Sequence, residues 1–457
     1  MSADTSENAR LLSKSYRTWL LTVLLFVCSF NFADRAILAA LAQPIKEDLK
    51  LTDLQLGLLQ GLSFAILYSI LGVPLGWLAE RKRRTHIIAV CVAIWSAMTV
   101  LCGFAGNFVQ LMLCRIGVGV GEAGFLSPTS SLLADHYPAR KRASALAVVM
   151  MGTPVGYFIG PVIGGWIAAT WDWRLAFYVL GVPGVIASLL VWLTLREPPR
   201  GLAEGRPPTT EPPPSIPGVI KHLWSLPTFR HVLIGGSLAS FTLNAVGQFS
   251  LPFFLRGHGL PLAQAGLIFG LISFFANGIG TLLGGFGVDW VSKFNPRWAL
   301  WGPAVGLAVT VPVYLIAFSN PHLWTSIGFL FVGNLMLITF YTPTFATVQN
   351  LVGPRMRASA VALFSLVFSL VGAGLGPTFL GMISDFFAQQ SFGAGDFAAM
   401  CPGGRAAPGS AADAVCRAAS ASGLRHALMS VQVVFIWAIV HYLLASRTLV
   451  KDLYRPA

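Results

Sequence analysis

The sequence predicts an all-α membrane protein, with twelve transmembrane helices in two six-helix pseudo-repeats. Three observations predict it. Of 457 residues, 55% are hydrophobic and only 11% are charged, against about 25% charged in a soluble domain. The apolar residues come in runs of about twenty, long enough to cross the roughly 30 Å hydrocarbon core as helices; barrel strands instead alternate apolar and polar over about ten residues. Short motifs of the first half also recur in the second.

Taken in order, residues 1–17 are polar and mixed in charge and read as a cytoplasmic tail. The run at 18–40 is too long for a signal-peptide core and has no small-residue cleavage site behind it, so it is expected to stay as the first helix. Runs at 55–79, 85–105, 108–133, 143–169 and 174–195 complete a first bundle over 18–195. Residues 198–217 hold eight prolines, including Pro212, Pro213 and Pro214. Proline lacks an amide donor and favours extended chain, so 196–228 is a cytoplasmic linker. Runs at 229–254, 262–288, 298–318, 323–347, 358–384 and 423–446 form a second bundle over 229–446. An outer loop at 385–422 separates the last two, and 447–457 is a second cytoplasmic tail.

The repeat is legible in three places. Arg142-Ala143-Ser144-Ala145 recurs as Arg357-Ala358-Ser359-Ala360. Each copy follows a proline (Pro138, Pro354) and precedes a Gly-Pro pair (Gly160-Pro161, Gly376-Pro377). Gly76 is followed four residues later by Glu80, and Gly285 by Asp289 at the same spacing. Each motif lies about half the chain from its copy. Such duplication is the architecture of secondary transporters, with substrate between the halves.

The 31 basic against 18 acidic residues give a net charge of +13, which on its own suggests a nucleic-acid partner. Position decides otherwise. Seven bases (Lys46, Lys50, Arg174, Arg256, Arg405, Arg417, Arg425) fall in loops assigned to the outside, and two (Arg35, Arg115) fall inside spans. The rest lie on the side of the termini, a positive-inside bias that places both termini in the cytoplasm of a multi-pass inner-membrane protein. No aromatic residues interleave with the basic clusters as single-strand binding would require, so no nucleic acid is expected.

Four charges remain inside the hydrocarbon: Asp34 and Arg35 in the first span, Arg115 and Glu122 in the fourth. Each costs about 2.5–3.5 kcal/mol at mid-membrane on insertion scales, so such residues face a cavity and pair. Arg115 and Glu122 are two helical turns apart and share a face; Asn31 lies one turn before Asp34. Two readings stand. The four form a static buried network that orients helices, or the acids are proton-coupling sites whose arginine neighbours move during transport. In the second reading Arg115, planar and permanently charged, suits an anionic substrate, with Asn31 and Arg35 beside it.

The run Gly119-x-Gly121-x-x-Gly124 matches a dinucleotide fingerprint but sits in an apolar span without a βαβ setting, so it is rejected. Gly156, Gly160, Pro161 and Gly164 form a flat face with a proline in it, either plain helix packing or a hinge between the halves. Gly76, Glu80, Arg81 and Arg84, with Asp135, Arg142 and Asp289, are candidates for a latch or gate on the cytoplasmic side, acids meeting arginines or helix ends. Cys28, Cys91, Cys102 and Cys114 lie in apolar runs as packing residues. Cys401 and Cys416 share a polar outer loop and are a candidate disulfide. No spacing suits a metal, and no nucleophile–base set suits an enzyme.

The Gly76–Arg84 segment resembles the loop signature of the major facilitator superfamily, with Glu80 in place of the usual Asp and Arg83 in place of its second glycine. Gly156–Gly165 resembles that superfamily's antiporter motif. Asn31-Phe32-Ala33-Asp34-Arg35, Trp95-Ser96 and Arg115 through Val118–Ala123 resemble the Spinster family of lipid transporters. The resemblance implies the major facilitator fold and proton-coupled transport of lysophospholipids or sphingoid lipids such as sphingosine 1-phosphate. It makes Asp34 and Glu122 the proton-linked acids and sets Arg115 at the headgroup or at its carboxylate partner. A lipid tail would then need an apolar wall, for which the second half offers Phe241, Phe249, Phe253, Phe274, Phe275, Phe340 and Tyr341. The expectation is an alternating-access transporter of anionic amphipathic lipids. It needs no cofactor beyond protons, has the lipid bilayer as its surroundings, and works as a monomer. The alternative is a proton-coupled antiporter of apolar drugs or another small organic molecule.

Overall fold

A computed structural model describes residues 11–203, 216–353, 356–393 and 395–454. Pro354 and the 204–215 part of the expected linker, with Pro212–Pro214, lie outside the described residues. So do 1–10 and 455–457 of the expected tails.

Twelve described helices are long and apolar enough to cross a membrane. They are α1 (Lys14–Asp48), α2 (Asp53–Arg81), α3 (Arg84–Cys102), α4 (Phe108–His136), α5 (Ser144–Thr170) and α6 (Trp173–Thr194), then α7 (Pro227–His258), α8 (Leu262–Ser292), α9 (Trp298–Ser319), α10 (Leu323–Asn350), α11 (Ser359–Phe392) and α12 (Ala411–Asp452). Their outward surfaces are apolar, with Leu193 and Trp324 each 77% exposed, as lipid-facing side chains are. Polar caps start several of them. Thr52 and Gln55 form a reciprocal capping box on α2 (3.2 and 3.0 Å), and Asn107 accepts from Gln110 N at α4 (3.0 Å). Each satisfies amides that the helix itself leaves unpaired.

Several helices outrun their hydrophobic cores. α1 has 35 residues, roughly 50 Å at 1.5 Å per residue, because the polar stretch 41–48 continues the helix. The segment expected as an outer loop at 385–422 is mostly helical: α11 runs on to Phe392 and α12 starts at Ala411. Ser410 caps α12 by accepting from Asp413 N (3.1 Å), and the Ala-rich turn that follows has high helix propensity. Gly423 then lets α12 pack directly on the backbone of Ser384 and Ala388. Part of the expected linker is also a helix, Ile216–Ser225.

Other helices are interrupted inside the membrane. α2 breaks at Gly61. α4 breaks after Glu122, where Gly124 N and Phe125 N bond only to Gly121 O and Glu122 O (3.3 Å each). α10, the counterpart of α4 in the repeat, breaks at Thr339–Phe340. Wide π turns occupy Leu283–Gly287 of α8 and Leu370–Leu375 of α11. Backbone freed in this way is tolerated where it lines a site or is buried in protein.

Contacts divide the chain into two compact units. One holds residues up to Leu38 and from Ile66 into the linker; the other holds Ala39–Ala65 and the chain from the linker onward. They differ from the expected bundles in one segment, 39–65, which is the end of α1 and the start of α2. In the first unit, α5 lies on α1 through Gly152, Gly156, Gly160 and Gly164, while Gly121 and Gly184 bring α4 and α6 against Trp95 and Ser96 of α3. In the second unit, Gly57 sits on the Pro377 carbonyl and Gly381 on that of Asp53, so the start of α2 is pressed onto α11. Small residues supply these contacts because in lipid there is no hydrophobic gain between helices, only close packing and hydrogen bonds.

Candidate functional site

The four intramembrane charges meet in the first unit. Asp34 and Glu122 are each 2% exposed, Asn31 and Arg115 each 3%. Glu122 closes the first half of α4, at the point where the helix breaks. Its Oε2 accepts from Arg35 Nε at 2.5 Å. The Arg35 guanidinium lies over the rings of Tyr68 (4.6 Å) and Phe32 (5.2 Å), and Tyr157 of α5 packs on Phe32 at 5.7 Å. Aromatic faces hold a cation without an extra counter-ion. Arg115 lies within electrostatic reach of both acids, and the Asn31 amide stands beside Glu122.

Asp34 is held differently. Its Oδ2 accepts from Thr99 Oγ1 of α3 at 3.0 Å. Its Oδ1, like Glu122 Oε1, has no hydrogen-bonding partner among the described residues. Each acid therefore has one oxygen fixed and one oxygen available. The two acids are also close enough to repel one another. Two carboxylates and two guanidiniums together are neutral, and a proton, or a proton together with an anion, enters such a set without leaving a large uncompensated charge.

The structure thus brings together Asn31, Asp34, Arg35, Arg115 and Glu122. Arg35, expected beside Arg115 at the substrate, makes the direct ion pair with Glu122. Thr99, Tyr68 and Tyr157 escaped the sequence reading, being single polar groups inside apolar runs. The glycine run sits under this site. A Cβ on Gly156 would fall on Ser29 O and within 2.7 Å of Ala33 N and Phe32 Cβ, and Gly160 packs on Ala33 O. Gly156, Gly160 and Gly164 therefore lie at a helix contact inside the first unit, with Pro161 buried among them.

The expected gate residues separate into two groups. Arg84 is fully buried: it donates to Asp135 Oδ2, to Glu197 Oε1 (2.7 Å) and to Ser131 O (2.8 Å). Gly201 N adds a bond to Asp135 Oδ1 (2.9 Å), and Arg200 donates to Ala79 O (2.6 Å). Arg142 donates to Ala134 O and Tyr137 O and so braces the end of α4. Gly76 faces Ser127. By contrast Glu80 and Asp289 are exposed and form no ion pair among the described residues, and Arg81 stacks on Trp77 at 3.9 Å. Glu197 and Arg200 were hidden in what reads as a Pro-rich linker.

A second buried charge cluster corrects the sequence reading, which counted Lys46 and Arg256 as loop bases and passed over Asp53. Asp53, 1% exposed, accepts from Lys46 Nζ (2.7 Å), from both Nη atoms of Arg256 (2.7 and 2.8 Å) and from Ser384 Oγ (2.7 Å). Arg256 Nε donates to Gln43 Oε1 (2.7 Å). Asp385 caps the start of α2 by accepting from the amides of Asp53 and Leu54 (2.9 and 2.7 Å). Beside this cluster Arg405 bridges Asp413 (2.8 Å) and Glu47 (3.3 Å), and Cys401 and Cys416 form a disulfide with Cα atoms 5.6 Å apart. All of these belong to the second unit. Longer helices explain the miss: residues assigned to loops ride on helices that continue past the apolar run.

The aromatic wall expected of the second half is partly core. Phe249, Phe253 and Phe340 are buried, whereas Phe275 and Tyr341 are half exposed. Among the described residues no group of three or more His, Cys, Asp or Glu is arranged to hold a metal ion.

Comparison with known proteins bears on this geometry. Residues 24–377 match the family model of the Major Facilitator Superfamily. An MFS-type efflux pump of Mycolicibacterium smegmatis is 30% identical over 370 residues, covering 81% of this chain and 85% of the pump. Protein spinster homolog 1 of Xenopus tropicalis is 29% identical over 401 residues, covering 84% and 76%. Among solved structures, a bacterial homolog of the human lysosomal transporter Spinster, in an inward-facing and unoccupied conformation, superposes with a TM-score of 0.87. It is 34% identical, with 97% of this chain and 100% of that one covered.

Proposed function

The chain belongs to the major facilitator superfamily as a multi-pass membrane transporter of Spinster type, and from that premise we propose that its cargo is an anionic amphipathic lipid, of lysophospholipid or sphingoid-phosphate type, moved by alternating access with protons. The observation that carries this reading is the neutral set of Asp34, Arg35, Arg115 and Glu122, buried except for a partly exposed Arg35, two of whose carboxylate oxygens have no hydrogen-bonding partner among the described residues. A phosphate and the Glu122 carboxylate are rivals for the same guanidinium. A headgroup that takes Arg35 or Arg115 leaves Glu122 as a buried uncompensated charge, which proton uptake removes. Substrate and proton are thereby linked through charge balance. Asp34, held by Thr99 on one side only, is the second proton site.

Alternation would also have to detach 39–65, which by chain order belongs to the first six helices and by contact to the second unit. We read the Lys46–Asp53–Arg256 cluster as the fastening that must open. The positive-inside pattern supports both termini on the cytoplasmic side of a cell membrane.

The test is transport in proteoliposomes with an imposed pH gradient, comparing a labelled lysophospholipid with a cationic dye. Gradient-driven movement of the lysolipid supports the reading. Movement of the dye alone would overturn it in favour of a drug antiporter, the reading that the 30%-identical efflux pump favours.

A further inference from the structure

The helix Ile216–Ser225 has no part in the sites above. Its sequence, IPGVIKHLWS, places apolar residues at 216, 219, 220, 223 and 224, the spacing of one broad helix face. Tertiary packing uses only one edge of that face. Val219 and Leu223 are buried where the helix packs on the starts of α7 and α11. Ile216, Ile220 and Trp224 are left 53%, 47% and 59% exposed. Ile220 and Trp224 line an open groove with Pro217, Lys221 and Ser225.

Two facts say what covers this stripe. The first is its place. Leu226 N bonds back to Leu223 O (3.1 Å) and α7 begins at Pro227, so the stripe lies within about a turn of the end of a membrane span. The second is charge. No acid occurs between 216 and 230, while Lys221 and Arg230 are exposed. Thr228 N donates to Asp452 Oδ2 (3.0 Å), which brings the last turns of α12, with exposed Arg447 and Lys451, to the same end. A Trp-bearing apolar stripe at the end of a span, on a segment whose only charges are basic, has the composition of a helix lying in the bilayer interface. Indole rings settle at headgroup level, and surface Lys and Arg are attracted to anionic leaflets.

We propose that Ile216–Ser225 is an interfacial helix that docks on an anionic phospholipid surface, with Ile216, Ile220 and Trp224 in the acyl boundary and Lys221 and Arg230 on the phosphates. This site is separate from the transport site and does not depend on what is carried. It anchors the start of the second set of helices to the bilayer.

The full-length chain in nanodiscs tests it. Nitroxides are placed singly at Ile220→Cys, Trp224→Cys and His222→Cys, with Cys114, the one half-buried free cysteine among the described residues, changed to Ser. Nanodiscs of phosphatidylcholine alone are compared with nanodiscs that also hold phosphatidylglycerol. Labels at 220 and 224 are expected to collide with oxygen in preference to a water-soluble nickel complex, and the label at 222 to do the reverse. Phosphatidylglycerol should deepen the first two, and Lys221→Glu should cancel that shift. Nickel collisions at 220 and 224 equal to those at 222 would put the stripe in water. Collisions with neither reagent would put it under protein. Either result overturns the proposal, and so does an oxygen preference that ignores phosphatidylglycerol.

Discussion

At the scale of single residues, the site depends on which atom meets which. Glu122 keeps Arg35 through one oxygen, and Asp34 keeps Thr99 through one. Asp34→Asn and Glu122→Gln preserve shape and remove the carboxylate that takes up a proton. Each variant is expected to stay folded and to lose gradient-driven transport in proteoliposomes; unchanged pH dependence in both would return the acids to a purely structural role. Arg115→Ala is expected to weaken an anionic lysolipid by about tenfold or more, the loss of one charge-assisted bond, and a neutral analogue much less. Binding titrations on the two ligands check this. The five polar site residues were legible because a charge or an Asn in an apolar run stands out. Thr99 and Tyr68 were not legible, since one hydroxyl barely alters hydropathy and its partner is on another helix.

At the scale of elements, glycine positions set how closely helices approach. A Cβ on Gly156 has nowhere to go between Ser29, Phe32 and Ala33, whereas one on Gly247 meets nothing within 4 Å. Gly156→Ala is expected to destabilise by about 1–3 kcal/mol through overpacking and, by pushing α1, to impair transport. Gly247→Ala should stabilise by about 0.5–1 kcal/mol through reduced backbone freedom. Thermal melts in detergent separate the two. The Cys401–Cys416 bridge closes a loop of sequence separation 15, for which chain entropy predicts about 3 kcal/mol. Reductant, or Cys401→Ser, should lower the melting temperature, and an unchanged melt would show the bond to be dispensable. The motif pattern gave glycine positions their importance, but whether a flat face meets its own unit or the other half depends on helix rotation, which no motif encodes.

At the scale of the whole molecule, the segment 39–65 joins two levels of organisation: part of the first six helices by chain, part of the second unit by contact. Its buried charges are costly to leave unmatched. Asp53→Asn would strand Lys46 and Arg256, on the order of 3 kcal/mol for a broken buried pair. Hydrogen exchange by mass spectrometry is expected to speed up in 39–65 more than in α9 or α10, and a uniform change across the second unit would contradict a local fastening.

The sequence by itself determined the membrane class, the number of spans, the duplication and the presence of a small neutral set of charges within them. Hydropathy acts locally and adds along the chain, so those features are readable without a fold. Tertiary structure alone decided the partners: Arg35 for Glu122, Thr99 for Asp34, Arg256 and Lys46 for Asp53, and Glu197 for Arg84. Ion pairing depends on how helices rotate and cross, and on glycine contacts between residues far apart in sequence. A charge assigned to a loop by hydropathy becomes a buried one when its helix runs on past the apolar stretch.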